Sequence, residues 1–493
     1  MNRQHFLKTL GLGTLASVTV PSLLAGCNSH DMSAMNMGGE TATAVTEGSF
    51  TTPLRLLDTA SPSGPLSAKS TTEAIVAGKN ARVLGYRDGM LGPTFRVTSG
   101  ATVDLRFLNA LTEETNIHWH GLLVPANMDG HPAQLVGAGQ SFNYTFRLDQ
   151  AATMAWYHPH PHGKTAKQAY MGLAGLFIVE TPTEKALSLP SGAYELPLIL
   201  QDKRLDASGS PQYNPSMNDV MLGYMGEIVT VNGVASPMHS VATRMYRLRL
   251  VNGSNGRLYN LALSTGAQFW VIGSDGGLLS APEGVTSLLL APGERADLLV
   301  DFSSVPVGTE VYLKSNTFSG GGAQGQQAFN LLKFVVSKAE TETFRLPARL
   351  ETVTPLAASV ATKTRTFDIG IAMQAMQGMN MTGMHTINGK VFSMNRIDET
   401  VKLGDTEIWE FNNTQGDEPH PMHLHGAFFQ VLSRTGGRNA LTASEKGWKD
   451  TVLVMPGERV RIVVPFTKPG TFVFHCHNLE HGDDGMMGNY QVA

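Results

Sequence analysis

Histidines dominate the chemistry open to this sequence, and one cysteine sits among them. The stretch Gly470-Thr-Phe-Val-Phe-His475-Cys476-His477-Asn-Leu-Glu-His481-Gly-Asp-Asp-Gly-Met486 holds one of the chain's two cysteines between two histidines, with a further histidine and a methionine downstream. A thiolate, imidazoles and a long thioether contact form the ligand set of a blue-copper electron-transfer site. The second histidine of that set must come from elsewhere. Phe472-Val-Phe-His-Cys reads as a strand, so Cys476 points to one face and His475 and His477 to the other. One strand can therefore touch two metal centres and join them through its own covalent bonds.

The other histidine clusters fit a second centre. His118-Trp-His120 and His158-Pro-His160 each put two imidazoles on one face of a strand, about 7 Å apart by strand rise. Four convergent imidazoles suit copper, zinc or iron. In His420-Pro-Met-His423-Leu-His425 the parity is two-sided: His423 and His425 share a face and His420 falls opposite. His420 can thus join Cys476 and His481, while His423 and His425 can join His475 and His477. With two histidines, Cys476 and Met486 assigned to one blue-copper site, eight imidazoles remain. That is too many for one ion and suits a cluster of three. His162 continues the face of His158 and His160 but precedes Gly163, so it reads as a loop residue beside the site. His131, in Asp129-Gly-His-Pro, reads as a turn residue.

These motifs must be carried by a multidomain scaffold. A chain of 493 residues suggests about three domains, and 52 glycines and 25 prolines between short apolar runs favour strands and turns. A net charge of −4 provides no basic stripe, which excludes nucleic acid as a partner. The first domain is expected over 51–182, where Thr102-Val-Asp-Leu-Arg-Phe-Leu alternates apolar and polar residues. The second, over 190–338, contains one histidine, His239, and no cysteine, and reads as structural. Its Met217, Met221 and Met225 fall at helical spacing and read as packing. The third covers 363–493 and opens with Met373, Met376, Met379, Met381 and Met384, interrupted by Gly378 and Gly383. That makes a poor core helix, and exposed thioethers are soft ligands suited to Cu(I).

Residues 1–27 read as an export signal: Arg3 and Lys8 precede an apolar run ending in Leu24-Ala-Gly-Cys27. That ending resembles the lipobox of bacterial lipoproteins, which implies cleavage before Cys27, lipidation of its sulfur and a periplasmic or cell-envelope protein anchored to the membrane. Arg3-Gln4 resembles a twin-arginine signal with Gln4 in place of the second arginine. Residues 28–50 read as a flexible tether whose His30, Met32, Met35 and Met37 suit Cu(I) capture. With Cys27 lipidated, Cys476 is the sole cysteine of the folded part. A monomer is expected.

Together, His118-Trp-His-Gly, His158-Pro-His, His420-Pro-Met-His-Leu-His and His475-Cys-His-X3-His-X4-Met resemble the four copper motifs of the multicopper oxidases, in order and spacing. The resemblance implies an all-β protein of three cupredoxin-like Greek-key β-barrel domains holding four copper ions. By position, His420, Cys476, His481 and axial Met486 would hold type 1 copper, and His118 and His423 type 2 copper. His120, His158 and His477 would hold one type 3 copper, and His160, His425 and His475 the other. The family reaction takes single electrons from a reducing substrate at type 1 copper and reduces O2 to water at the cluster. Asp129 matches an acidic position near type 2 copper. Asp483 follows Gly482, which stands where several relatives have a proton-donating Glu, and Asp450 is placed to orient a ligand histidine or to be a solvated strand-end carboxylate. The stretch Met373–Met384 resembles in position, though it is shorter, the methionine segment of bacterial cuprous oxidases. That implies Cu(I) as donor, with Asp417, Glu418 or Asp483 favouring the charge of the product. A laccase-like oxidation of phenols, or of Mn(II) or Fe(II), is the alternative. A copper-storing or structural protein on the same fold is a third reading.

Overall fold

A computed structural model describes residues 43–372 and 383–493. The expected export signal with Cys27, the tether up to residue 42, and Met373, Met376, Met379 and Met381 lie outside the described residues. Its regular structure is mainly strands in six sheets, paired two by two into three Greek-key barrels. No helix among the described residues is long and apolar enough to cross a membrane.

The first barrel packs a four-stranded sheet on a five-stranded one. Its strand Thr102–Asn109 alternates as expected, burying Val103, Leu105 and Phe107 against Trp119, Tyr157 and Phe177. The short strand His118–His120 lies at the sheet's edge and pairs antiparallel with Thr153–His158, so that His118 faces His158 directly. Trp119 points into the barrel core, so the two flanking imidazoles must point outward. An edge strand is where a domain can present side chains to a neighbour without disturbing its own core.

The third barrel presents its histidines from inside a sheet instead. Gly470–Cys476 is the middle strand of a five-stranded sheet, with Met487–Val492 on one side and His420–Leu424 on the other. The register sets Met422 opposite Cys476 and His423 opposite His475. Met422 and Cys476 enter the barrel core with Phe472, Phe474 and Met486. His423 and His475 occupy the opposite face.

The second barrel, of six- and seven-stranded sheets, has its own large aliphatic core. It also holds the start of the described chain. Thr52–Pro53 pairs with Pro237–Met238, Thr46 N donates to Glu227 O at 2.7 Å, and Val45 and Phe50 are buried. Residues 43–50, expected as part of a flexible tether, are instead packed: the segment from Thr43 onward buries apolar side chains and pairs its backbone there.

Candidate metal centres

The strand Gly470–Cys476 runs into a short helix, Leu479–Asp484, which turns the chain back on itself. Three backbone bonds close the turn: Gly485 N and Met486 N donate to His481 O at 3.1 and 2.9 Å, and Cys476 N donates to Met486 O at 3.0 Å. Gly485 makes this possible with φ 128°, a conformation that favours glycine. The result brings His481 and Met486 to Cys476. Cys476 Sγ lies 3.6 Å from His420 Nδ1 and 3.7 Å from His481 Nδ1, and the two nitrogens are 3.1 Å apart. All four side chains are buried. Burial pushes the Cys476 thiol up and the His420 imidazole down to about 3, so both neutral forms are favoured. A bound cation would supply the positive charge that a buried thiolate needs, and this soft donor set fits copper.

Eight imidazoles meet on the other face, between the first and third barrels. His475 Nε2 lies 3.1 Å from His160 Nε2 and 3.2 Å from His425 Nε2. His423 Nε2 and His118 Nε2 are 3.4 Å apart. The rings of His120 and His477 are 4.9 Å apart, and those of His158 and His477 5.4 Å. The outer nitrogens are engaged by oxygens. His118 Nδ1 meets Asp129 O at 2.8 Å, His423 Nδ1 meets Asp450 O at 2.9 Å, and His475 Nδ1 meets Cys476 O at 2.9 Å. A ring whose outer nitrogen donates presents a lone pair inward. Burial lowers the pKa of His118, His120, His160, His425 and His477, and brings His158 and His475 down to about 3. These seven rings are therefore held neutral, with lone pairs free to face one another. Five buried ring nitrogens, on His120, His158, His160 and His477, have no hydrogen-bond partner in the protein. Leaving such groups orphaned costs about 1–3 kcal/mol each, and metal cations offset that cost. Nitrogen donors in this number fit copper ions.

Comparison with known proteins decides the family. Multicopper oxidase family models match residues 68–184 and 366–493. Multicopper oxidase mco of Staphylococcus haemolyticus is 35% identical over 419 residues, 84% of each chain. Cell division protein FtsP of Yersinia pestis is 35% identical over 431 residues, covering 84% of this chain and 86% of its own. The crystal structure of McoA multicopper oxidase from Aquifex aeolicus superposes with a TM-score of 0.82 at 36% identity, covering 91% of this chain and all of the other. The chain belongs to the multicopper oxidase family. It is an oxidoreductase that binds copper and passes electrons from a reducing substrate to O2.

Carboxylates surround this oxidase's imidazole pocket. Asp129 is fully buried, and its Oδ2 lies 2.7 Å from His425 Nδ1. The loop that brings it there presses on the strand ahead of His118. A Cβ on Gly130 (φ 80°) would stand 2.0 Å from the carbonyl oxygen of Ile117. Burial pushes the Asp129 carboxyl well above the carboxylate range. Asp450 is buried, not a solvated strand end. Its Oδ1 lies 3.1 Å from His120 Nε2 and 3.4 Å from His423 Nδ1. Asp483 sits elsewhere, accepting from Gly163 N at 2.9 Å and Ala166 N at 2.8 Å, and among the described contacts it meets none of the cluster histidines. His131 is a turn residue, as expected, with Nε2 2.9 Å from Asn489 Oδ1. His162 is exposed, its ring 5.0 Å from Phe392.

Around Cys476 the contacts go beyond the ligand set. Asp484 accepts from the backbone N–H of Gly383, Met384 and His385 and from His385 Nδ1 at 2.8 Å. The His385 ring stacks on His481 at 4.1 Å. Ala372 N donates to Met384 O at 2.7 Å, so the methionine stretch leaves and re-enters the described structure at one point beside His481. Met384, expected as an exposed thioether, is buried, because Asp484 draws its backbone down onto the helix. Sequence reasoning missed Met221: its carbonyl accepts from His481 Nε2 at 2.8 Å, although the second barrel reads as structural. No motif marks a backbone carbonyl, and the spacing of Met217, Met221 and Met225 signals only a helix, which ends at Leu222, before Met225.

Proposed function

We propose that this oxidase holds four copper ions and takes its electrons from Cu(I). His420, Cys476, His481 and Met486 would hold type 1 copper, and His118 and His423 type 2. His120, His158 and His477 would hold one type 3 ion, and His160, His425 and His475 the other. One observation carries the reading. The single strand Gly470–Cys476 delivers Cys476 Sγ to within 3.7 Å of two histidines on one face and His475 Nε2 to within 3.2 Å of two more on the other. Bound copper supplies the one-electron steps and the affinity for O2. The protein holds the rings in their tautomers, excludes water from the Cys476 side and keeps Asp129 against His425, where a carboxyl can pass protons inward.

Two observations favour Cu(I). His481 has no exposed surface and is covered by the Met221 carbonyl and the His385 ring, so a bulky phenol has no ligand edge to touch. The ends of the methionine stretch meet beside the same histidine, with exposed Asp417 three residues before His420. Deleting Met373–Met384 from the copper-loaded enzyme is expected to slow Cu(I) oxidation strongly while leaving its blue absorption. Unchanged Cu(I) kinetics would overturn Cu(I) as the donor in favour of a laccase-like oxidation of phenols, Mn(II) or Fe(II). The structural or copper-storing reading requires that copper loading give no blue absorption and no O2 uptake. Export and lipid anchoring through Cys27, which rest on the sequence of residues 1–27, and a monomeric state complete the proposal.

A further inference from the structure

The second barrel supplies no histidine to either centre, yet one of its turns presses against the imidazole pocket. A Cβ on Gly293 (φ 83°) would stand 2.7 Å from His477 Cγ and 3.1 Å from His120 Cε1. Two residues on, Arg295 is buried with all its donors spent. Nη1 donates to Asp450 Oδ1 at 2.7 Å and to Gly293 O at 2.9 Å, while Nη2 donates to Asp450 Oδ2 and, at 3.0 Å, to Asp275 O. Nε donates to Met154 O at 3.1 Å. One side chain thus ties the second barrel to the first and to the third. Its fork is bidentate on the carboxylate that meets His120.

His120 is turned the other way from its neighbours. His118, His158, His423, His425 and His475 engage their outer oxygens through Nδ1. His120 instead directs Nε2 outward, to Asp450 Oδ1 at 3.1 Å and Thr451 Oγ1 at 3.2 Å, and leaves buried Nδ1 without a protein partner. A carboxylate only accepts hydrogen bonds, so an ion-paired Asp450 requires the ring proton on Nε2 and a lone pair on Nδ1. The Arg295 guanidinium sits on both oxygens of that carboxylate and pairs its charge. We propose that Arg295 is a positioning residue of the second barrel that, by fixing the Asp450 carboxylate, sets His120 to bind its copper through Nδ1. This inference rests on His120 being a ligand, as in the proposed function.

The test compares full-length copper-loaded Arg295→Met, Arg295→Lys and the double variant Arg295→Met/Asp450→Asn with the wild type. The readouts are copper per chain, blue absorption and the paramagnetic signal of type 2 copper. Arg295→Met leaves a buried unpaired carboxylate beside His120. It is expected to weaken copper binding at the imidazole pocket about 10- to 100-fold while sparing the blue centre. Arg295→Lys keeps the charge without the fork and is expected to fold with a smaller loss, which keeps the test open if Arg295→Met does not fold. The amide oxygen introduced by Asp450→Asn can accept from His120 without a charge to compensate, so the double variant is expected to regain cluster copper.

Arg247→Met is the control for general destabilisation. It removes a buried arginine forked on Asp297 in the same barrel, away from both centres. It is expected to lower the unfolding midpoint with copper content unchanged. Wild-type cluster copper and spectra in Arg295→Lys and Arg295→Met would overturn the inference, as would parallel loss of blue and cluster copper. If the wild type itself binds no copper beyond the blue ion, the proposed function fails instead.

Discussion

The first and third barrels differ from the second in what they give to the metal centres. The outer two supply every histidine and the cysteine, from strands with one face packed in a core, from residues just past their ends and, for His481, from a short helix. The middle barrel supplies a carbonyl on His481, the bare backbone of Gly293 against His477, and Arg295 on Asp450. In the proposed assignment the outer barrels provide the donor atoms, and the middle one sets which nitrogen of His120 faces the pocket and how closely its walls approach. A domain without ligands can still set ligand geometry, because imidazole tautomers are chosen from outside the site.

Substitutions can break this contrast, beginning with the largest effect. Cys476→Ser removes the soft donor from the strand shared by both centres. Blue absorption and turnover are expected to vanish together, while the imidazole pocket keeps its copper, measured by copper content and by O2 uptake. Gly293→Ala reaches the pocket from the middle barrel. Its Cβ has no room beside His477 and its φ of 83° is strained for alanine, so a loss of about 1–3 kcal/mol in unfolding free energy is expected. Cluster copper should fall and blue copper remain. If both sites survive intact, the middle barrel does not crowd the cluster.

A third test asks whether the middle barrel also has charge buried for no catalytic end. Burial brings the Lys203 ammonium down to about 7. Its neutral form is favoured in the folded state, so the unfolded chain binds an extra proton between pH about 7 and the ordinary lysine value. Wild-type stability is expected to rise with pH across that window. Lys203→Met should stabilise by roughly 1–2 kcal/mol at pH 6 and lose that advantage above pH about 10.5, by denaturant unfolding. A flat difference across pH would show that the lysine is charged and solvated in the folded protein. The smallest effect belongs to Lys446→Ala, which cuts a half-exposed ion pair to Glu283 between the third and second barrels. A change below about 0.5 kcal/mol is expected, with no change in either centre.

Local periodicity made much of this legible in advance. Strand alternation separates Cys476 from His475 and His477, and odd steps of three and five residues separate His420 from His423 and His425, so the two-faced design is written in spacings of one to five residues. The strand pairing of His423 with His475 then follows that parity. What spacing cannot encode is a partner far along the chain. Arg295 and Asp450 are 155 residues apart, and Met221 and His481 are 260 apart. Nothing local to either partner specifies those meetings, because they depend on how three separately cored barrels dock. The burial of Met384 against Asp484, 100 residues away, and the packing of the segment from Thr43 onto the second barrel are likewise contacts between distant parts of the chain. By itself the sequence determined the donor atoms and the faces they occupy, since a strand's side-chain direction is fixed by counting residues. Only the tertiary structure decided which nitrogen of His120 faces the pocket and what covers His481, since those follow from contacts between domains.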